Sequence, residues 1–465
     1  MIETKEYIRR RQVLRNKIET GIIVLCGNNM IARNYPGNLL PFRQDSNFLY
    51  YLGIDIPGCM CIIDCDNDVD ILFGNDPGID DQIWRGSYKK MQDIADKAGV
   101  KKVFSLSKIK DAISKARKTN QRIHFLPPYP TDRQILLSEL IGIPLSEISK
   151  KSSVELIQAV ITQRSVKSEE EVIQIEEALN KATGPMHQKA MRMAFPGVYE
   201  YQIVAEMNKI AKACDLDFAY PVICSVHGEI LHNEFHRNQL EKDQLLLIDA
   251  GAESSMHYAS DITRTIPVGG RFNEKQKEIY AIVLSAEVHA IDRIKPGIKY
   301  ADLHREAALM ITQGLKTIGI MKGEPEEAVE KGAHALFFPH GLGHMMGLDV
   351  HDMEDLGENF VGYGNEVKRS SQFGTAYLRL ARSLQPGFVL TVEPGIYFIP
   401  TLIDLWRSEK KFEKYINYSI VEAYKKLGGI RIEDNILVHS SGCKVLGNPI
   451  PKFPAEIEKF MNSEG

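Results

Sequence analysis

Several quick assignments are closed to this chain by what it lacks. No apolar run approaches the length of a membrane span, and the opening stretch MIETKEYIRRRQ is charged, without an apolar segment of its own. Charge of one sign is not in excess: 57 Lys and Arg against 61 Asp and Glu leave a formal −4. That is too little to draw the protein toward nucleic acid or an anionic membrane, and no basic patch interleaved with aromatics compensates. Cysteine is scarce and odd in number, seven in 465 residues, which fits reduced thiols better than a disulfide framework. Cys59, Cys61 and Cys65 are spaced like a metal cluster, but with Ile63 they alternate onto one face of a strand, so buried strand thiols are expected. The expectation from these absences is a cytoplasmic protein with no nucleic-acid and no membrane partner.

What is present suits a soluble globular chain: 44% hydrophobic, 25% charged and 8% aromatic residues. At 465 residues one core does not suffice, and two domains are expected, 1–160 and 161–465. The first alternates helix-like and strand-like segments: a charged helix over 1–19, strands at 21–27, 58–65, 69–73 and 123–126, a helix from Tyr88 over 88–98, and a helix over 131–141 capped by Thr131. This is an α/β domain without a cluster of His, Asp and Glu, suited to positioning or oligomerisation rather than chemistry.

The second domain opens at Ser168 with Glu171 three residues on, a capping box that starts a helix over 168–193. The chain then repeats itself. That helix is followed by Phe195-Pro196-Gly197-Val198 and a helix over 199–214; a helix over 274–294, capped by Asn273 with Gln276 at the box position, is followed by Lys295-Pro296-Gly297-Ile298 and a helix over 301–318. Strands follow each pair, at 222–225 and 245–248, then at 389–393 and 429–438. Two similar halves are implied, with strand ends converging where they meet.

Four segments carry acids or imidazoles in apolar company. Strand 245–248 delivers Asp249 to its end and Asp261 opens the next strand-like run; His340-Gly341-Leu342-Gly343-His344 continues to His351; Val389-Leu390-Thr391-Val392 ends in Glu393 before Pro394-Gly395; and alternation in Gly429-Ile430-Arg431-Ile432-Glu433 puts Arg431 and Glu433 on one face. Glycines at 341, 343 and 347 argue against a helix around the histidines. Four carboxylates, Asp249, Asp261, Glu393 and Glu433, converging with His344 would repel one another unless cations neutralise them. Two divalent ions balance the set. Its oxygen-rich character favours Mn²⁺, with Co²⁺ and Zn²⁺ as alternatives, and paired ions that acidify a bridging water imply hydrolysis of an amide or ester.

The ordered set DAGAE…ASDITRT, HGLGH…VHD, LTVEPGIY and GIRIEDN resembles the pita-bread metallopeptidases, the family of methionine aminopeptidase, Xaa-Pro aminopeptidase and Xaa-Pro dipeptidase. PFRQDSNFLYYLG, residues 41–53, resembles the amino-terminal domain of the proline-specific branch. The resemblance implies an α+β catalytic domain of two pseudo-symmetric halves behind the α/β domain. It implies that Asp249 chelates one metal, that Asp261 and Glu433 bridge the pair, and that His344 and Glu393 bind the other. It gives Glu393 the proton shuttle and Arg431 the orienting of the ligands. It places His232 near the leaving nitrogen, and His340 and His351 beside the metals on the substrate or tetrahedral intermediate. Arg379, with Arg382 as the fallback, matches the arginine that prolidases keep near the substrate carboxylate. The implied activity is a dinuclear Xaa-Pro aminopeptidase on peptides with proline second, attacking through a metal-bridging hydroxide, in a homodimer or homotetramer. Xaa-Pro dipeptidase is the alternative; methionine aminopeptidase and a metal-free binding protein or hydrolase on the same fold fit less well. Two departures stand out: one extra residue between Asp249 and Asp261, expected to bulge over 253–258, and an insert over 354–377 expected to be a lid or binding loop.

Overall fold

Five short apolar segments pair into the sheet at the centre of the first of two compact units. In the computed structural model, which describes residues 2–86 and 89–463, the units are Met1–Arg164 with Asp355–Phe360, and Ser165–Glu354 with Val361–Gly465. The sheet of the first unit runs in the order Lys102–Phe104, Val69–Phe73, Met60–Asp64, Ile22–Cys26, Ile123–Phe125. Its middle pairs are antiparallel and both edge strands join in parallel. Ile22, Val24, Met60, Ile62, Phe73 and Phe125 face helices Ile109–Lys118 and Thr131–Ile141, which bury Ile113 and Leu137 against them. The alternate residues Ile23, Leu25, Cys61, Ile63 and Leu72 are buried as well, as a sheet covered on both faces requires.

Local details differ from expectation for identifiable reasons. The cysteine strand is only Met60–Asp64, so Cys59 and Cys65 flank it; Cys59 and Cys61 are buried and Cys65 half-buried. Burial pushes all three thiols up, to about 12, about 12 and about 11, and keeps them protonated. Thr131 is the first helical residue rather than the cap, because Pro130 occupies that place with φ −75° and ψ 138°, the backbone proline favours. The helix expected from Tyr88 covers Met91–Ala98, and Tyr88 itself lies outside the described residues.

The second unit is built twice. Helices Glu169–Ala178 and Gly184–Met193, then Glu200–Ala213, lead into a sheet ordered Thr263–Pro267, Leu245–Asp249, Ile223–Ser225; helices Glu274–Arg293 and Tyr300–Thr317 lead into one ordered Val389–Val392, Asp434–His439, Gly442–Val445. The correspondence extends to single hydrogen bonds. Gly197 and Gly297, at φ +94° and +86°, each turn the chain after a proline. Gly197 N–H donates to the Leu240 carbonyl and Leu240 N–H returns to Val198, while Gly297 donates to Leu384 and Leu384 returns to Ile298. Both expected capping boxes form, Ser168 with Glu171 and Asn273 with Gln276.

Two elements are broken where one was expected. Leu179–Thr183 forms a π-helical turn inside 168–193. Pro185 has no N–H for the Lys181 carbonyl, which instead accepts from Cys214 Sγ at 3.3 Å. Residues 429–438 form two strands, Gly429–Arg431 paired with Gly395–Tyr397 and Asp434–His439 paired with Val389–Val392. Pro394 falls between the two partner strands and has no N–H for the Ile432 carbonyl; of that pair only the bond from Ile432 N–H to the Pro394 carbonyl remains, at 3.4 Å, and the ladder is interrupted there. The segment 339–349 is not helical. Among the described residues no helix is long and apolar enough to cross a membrane.

Candidate functional site

The two halves meet at Glu433. Facing away from its own partner strand, the Glu433 N–H donates to the Thr263 carbonyl at 3.1 Å, joining the second half to the first strand pair. Within that pair Asp249 stands opposite Thr263. The Thr263 hydroxyl donates to Glu433 Oε2 at 2.7 Å and accepts from Arg431 Nε at 3.1 Å, so Arg431 and Glu433 address one point despite the broken strand. Asn435 clamps Asp261 from the same side: its Oδ1 accepts from Asp261 N–H at 2.9 Å and its Nδ2 donates to the Asp261 carbonyl.

The extra residue between Asp249 and Asp261 is absorbed away from these contacts. Ala252–Glu253 pairs with Asp217–Phe218, and the chain turns through His257 at φ +66° while Ser254 Oγ accepts from the N–H groups of Met256 and Tyr258. Asp261 Oδ2 remains 3.3 Å from His344 Nε2.

His344 Nδ1 donates to the Met345 carbonyl at 3.1 Å, and Nε2 faces Asp261 and, at 3.5 Å, Glu393 Oε1. One donor atom each of Asp261, His344 and Glu433 lies within 4.8 Å of the others, and all three residues are buried. This is a metal-binding group. Glu393 adjoins it through His344. Asp249 is not in the group of three; its Oδ2 accepts from Arg431 Nη2 at 2.5 Å and its Oδ1 from the Tyr220 hydroxyl at 2.7 Å, a hydroxyl also in reach of Asp261.

The electrostatics are those of acids short of cations. Burial raises Glu433 well above the carboxylate range, reinforced by Asp261, Glu393 and Asp249. Burial, with Asp261 and Asp249 adding to it, pushes Glu393 up to about 7 against His344 and Arg431. Asp261 is raised by burial and by Asp249. Burial alone would lower His344, yet the Asp261 hydrogen bond and the Glu393 charge carry it up to about 9. Glu433 Oε1 is buried with no hydrogen-bond partner, a costly arrangement that a bound cation relieves. The Nδ1 bond of His344 leaves Nε2 to face the acids, the orientation of a ligating imidazole. The donor set fits a divalent metal.

These groups line one cavity of ≈ 630 Å³ with His232, His340, His351 and Arg379, walled by Ile223, Leu231, Ile399, Leu402, Phe373 and Tyr377. Arg431 Nη1 donates to the Tyr397 hydroxyl at 2.9 Å, which pairs with His340 Nε2 at 2.8 Å while His340 Nδ1 donates to the Gly341 carbonyl. Burial holds His340 at about 3 and His351 at about 4, so both are neutral at neutral pH. The insert contributes Phe373 and Tyr377 to the wall, and Glu354, at its start, bonds both His351 and Arg379. Arg382 points elsewhere, donating to Ser165 Oγ at 2.7 Å with its guanidinium over Phe388.

The model of metallopeptidase family M24 matches residues 174–440, which hold every site residue above, and that of the aminopeptidase P amino-terminal domain matches residues 7–124. The chain belongs to metallopeptidase family M24. Its M24 relatives include a probable Xaa-Pro aminopeptidase of Coccidioides posadasii, 30% identical over 456 residues and covering 95% of this chain and 92% of that one. Another, from Fusarium vanettenii, is 33% identical over 426 residues, or 91% and 88% of the two chains. Among solved structures, aminopeptidase PepP of Pseudomonas aeruginosa superposes with a TM-score of 0.82 at 29% identity, over 99% of this chain and 98% of that one. Escherichia coli aminopeptidase P with the inhibitor Pro-Leu gives 0.81 at 28% identity over the same shares. The M24 chain described here is therefore a metal-dependent peptidase with the pita-bread architecture its motifs resemble.

Sequence reasoning passed over Tyr220, Thr263, Tyr397, Asn435 and Glu354. Thr263, Tyr397 and Asn435 lie inside the recognised motifs SDITRT, EPGIY and GIRIEDN, and period-two alternation from Asp261 could have found Thr263. Tyr220 and Glu354 carry no local signal.

Proposed function

We propose that this M24 peptidase is a dinuclear Xaa-Pro aminopeptidase, releasing the amino-terminal residue from peptides with proline in second position. The observation that carries the proposal is the buried group of Asp261, Glu433 and His344, with Glu433 Oε1 unpartnered and Glu393 and Asp249 lining the same cavity, in a chain similar along nearly its whole length to proteins named Xaa-Pro aminopeptidase. Asp249, Asp261, His344, Glu393 and Glu433 would hold two divalent ions, Mn²⁺ before Co²⁺ or Zn²⁺. Such ions supply Lewis acidity at the scissile carbonyl and acidify the attacking water.

The chain's own residues do the rest. Glu393, already poised near 7 by burial, takes the proton of the water and passes it to the departing prolyl nitrogen. Arg431 fixes Asp249 from one side and, through Tyr397, orients His340. Neutral His340 and His351 spend their one N–H on the Gly341 carbonyl and on Glu354, so their Nε2 atoms would serve a hydroxyl of the tetrahedral intermediate as uncharged acceptors, His340 in exchange for its Tyr397 bond, and His232 faces the leaving nitrogen. A tertiary amide has no N–H, so a site walled by Ile399, Leu402 and Tyr377 loses nothing by offering the prolyl ring no acceptor. The same reading places the enzyme in the cytoplasm as a homodimer or homotetramer, assigns 1–160 to positioning and assembly, and gives Arg379 to the substrate carboxylate. Metal-stripped protein should be inactive, and Mn²⁺ should restore cleavage of Gly-Pro-Xaa; activity indifferent to chelation would overturn the metal reading. Glu433→Ala should lose bound metal, whereas His351→Ala should keep it and turn over slowly. Equal metal loss in both would remove the division of roles.

A further inference from the structure

Helix Glu200–Ala213 opens on a buried acid that takes no part in the metal group. Glu200 is the first helical residue and is fully buried. Its Oε1 accepts from the Val226 N–H at 2.9 Å and its Oε2 from the Asn238 N–H at 3.0 Å, while the Asn238 side-chain amide donates to both oxygens, at 3.1 and 3.0 Å. Three donors thus converge on one carboxylate, and only an acceptor that carries no N–H of its own meets them all; a glutamine would set its amide against one of them. The buried charge is tolerated because it is hydrogen-bonded at both oxygens. Val226 and Asn238 are not neighbours along the chain: they bound the segment that leaves strand Ile223–Ser225 and carries Leu231, His232 and Glu234 to the cavity wall. His340, held neutral chiefly by burial, is depressed further by His232, so the two rings lie close on that wall. Within the segment, Ser225 Oγ accepts from the His227 N–H at 3.0 Å and from Asn233 Nδ2 at 2.9 Å, which fixes the residue beside His232.

The other half repeats the arrangement at the matching position. Glu200 N–H donates to the Asn238 carbonyl and Tyr201 N–H to the His236 carbonyl; Tyr300 N–H donates to the Arg382 carbonyl and Ala301 N–H to the Ala381 carbonyl, so Tyr300, the first residue of its helix, is the counterpart of Glu200. The buried Tyr300 hydroxyl donates to the Thr391 carbonyl at 2.6 Å, and Thr391 in turn bonds the His344 backbone in both directions. The first helical residue of each half therefore reaches past its own helix to hold a segment of the site. We infer that Glu200 is a positioning residue of the proposed peptidase: by closing the segment between Val226 and Asn238 at both ends, it keeps His232 at its place on the cavity wall. The inference rests on the proline-peptidase reading, in which His232 serves the substrate, and deepens it. Among the described residues the Glu200 carboxylate bonds only Val226 and Asn238, so loosening it should displace His232 and leave the metal ligands where they are.

The test follows turnover of Gly-Pro-Gly by the Mn²⁺-loaded full chain. Glu200→Gln, which keeps the size and leaves a donor unmet, should lower kcat by about tenfold, a part of the roughly hundredfold that an ångström of misplacement costs, with bound Mn²⁺ per chain unchanged. His232→Ala should lower kcat on its own. The double variant, Glu200→Gln with His232→Ala, should lose no more than His232→Ala does, because nothing is left to position. Asn238→Ala, which cuts the same tie from its other end, should match Glu200→Gln. An unchanged kcat in Glu200→Gln or in His232→Ala, a full further tenfold loss in the double variant, or loss of bound metal in Glu200→Gln would each overturn the inference; a residue serving stability alone would lower the melting temperature without this non-additivity. One measurement needs no variant to fold: in the wild-type chain the Val226 and Asn238 amides should exchange hydrogen as slowly as those of strand Leu245–Asp249, and rapid exchange would overturn the tie. Failure of the wild-type chain to cleave Gly-Pro-Gly would sink the proline-peptidase reading and the inference with it; cleavage with additive variants or rapidly exchanging amides sinks the inference alone.

Discussion

Loading the metal centre should expel protons, and their number follows from the site. In the metal-free protein at pH 7, His344 carries a proton because Asp261 and Glu393 lift it to about 9. Glu393, at about 7, is half-protonated, and burial with the neighbouring acids raises Glu433 as well. Each proton held by a ligand must leave on binding, so His344 and Glu393 alone should release more than one proton per chain at pH 7. The linked stability effect has a definite sign. A carboxyl raised from 4.5 to about 7 binds its proton more tightly folded than unfolded, so its contribution is complete below 4.5 and lost as pH rises through 7. At about 1.4 kcal/mol per pKa unit, Glu393 alone withdraws about 3 kcal/mol from the metal-free fold. His344, also raised, acts in the same direction, its contribution present below 6.5 and lost as pH rises through about 9. Buried neutral histidines oppose this at lower pH. His187, His334 and His351, held near 4, and His304 and His340, held near 3, cost stability as pH falls below 6.5.

The metal-free protein should thus be most stable near pH 6 to 7 and weaken on both sides, whereas the metal-loaded protein should keep its stability upward to pH 8. Titration calorimetry with Mn²⁺ at pH 7, in buffers of differing ionisation enthalpy, reads the proton number from the slope, and thermal melts with and without metal read the second effect. A slope of zero would refute the reasoning, because it would mean that the acids are already ionised and paired in the free protein.

Two substitutions test groups that sequence reasoning passed over. Asn435→Ala leaves the buried N–H and carbonyl of Asp261 without partners; each such loss costs about 1–3 kcal/mol, so a marked fall in the urea midpoint of the metal-loaded protein is expected, and an unchanged midpoint would show that the clamp carries nothing. Tyr220→Phe removes the hydroxyl shared by Asp249 and Asp261, which matters only while no cation separates those acids. It should lower the melting temperature of chelated protein more than that of the metal-loaded protein, and equal losses would count against it.

Legibility followed the physics of each feature. The capping boxes at Ser168 and Asn273 and the two Pro-Gly turns are decided by residues three or four apart, and they were readable to the residue. Asp261 and Glu433, which the structure groups with His344, were readable because buried acids in apolar strand company are anomalous in themselves. What escaped was the break in 429–438: period-two alternation continues through it, and it becomes visible only when Pro394, 38 residues before Ile432, is recognised as the residue facing it. The π-turn at Leu179–Thr183 has the same character, since Pro185 dictates it through a carbonyl four residues back.

The register around Glu433 also explains why the metal group forms where it does. Ile432 donates its N–H to the Pro394 carbonyl at 3.4 Å, so Glu433, one residue on, turns its own N–H away from that partner strand, as alternate residues of an antiparallel pair do. That N–H crosses to the Thr263 carbonyl and the Thr263 hydroxyl crosses back to Glu433 Oε2. Those two bonds join a strand of one half to a strand of the other. The proline of the EPG motif acts on a different group: it has no N–H for the Ile432 carbonyl and interrupts the ladder directly behind Glu393. Strand-end acids on two similar sheets would otherwise be separate surface groups, each satisfied by solvent. Brought together they raise one another's affinity for protons and leave Glu433 Oε1 unpartnered, which is the condition a divalent cation satisfies.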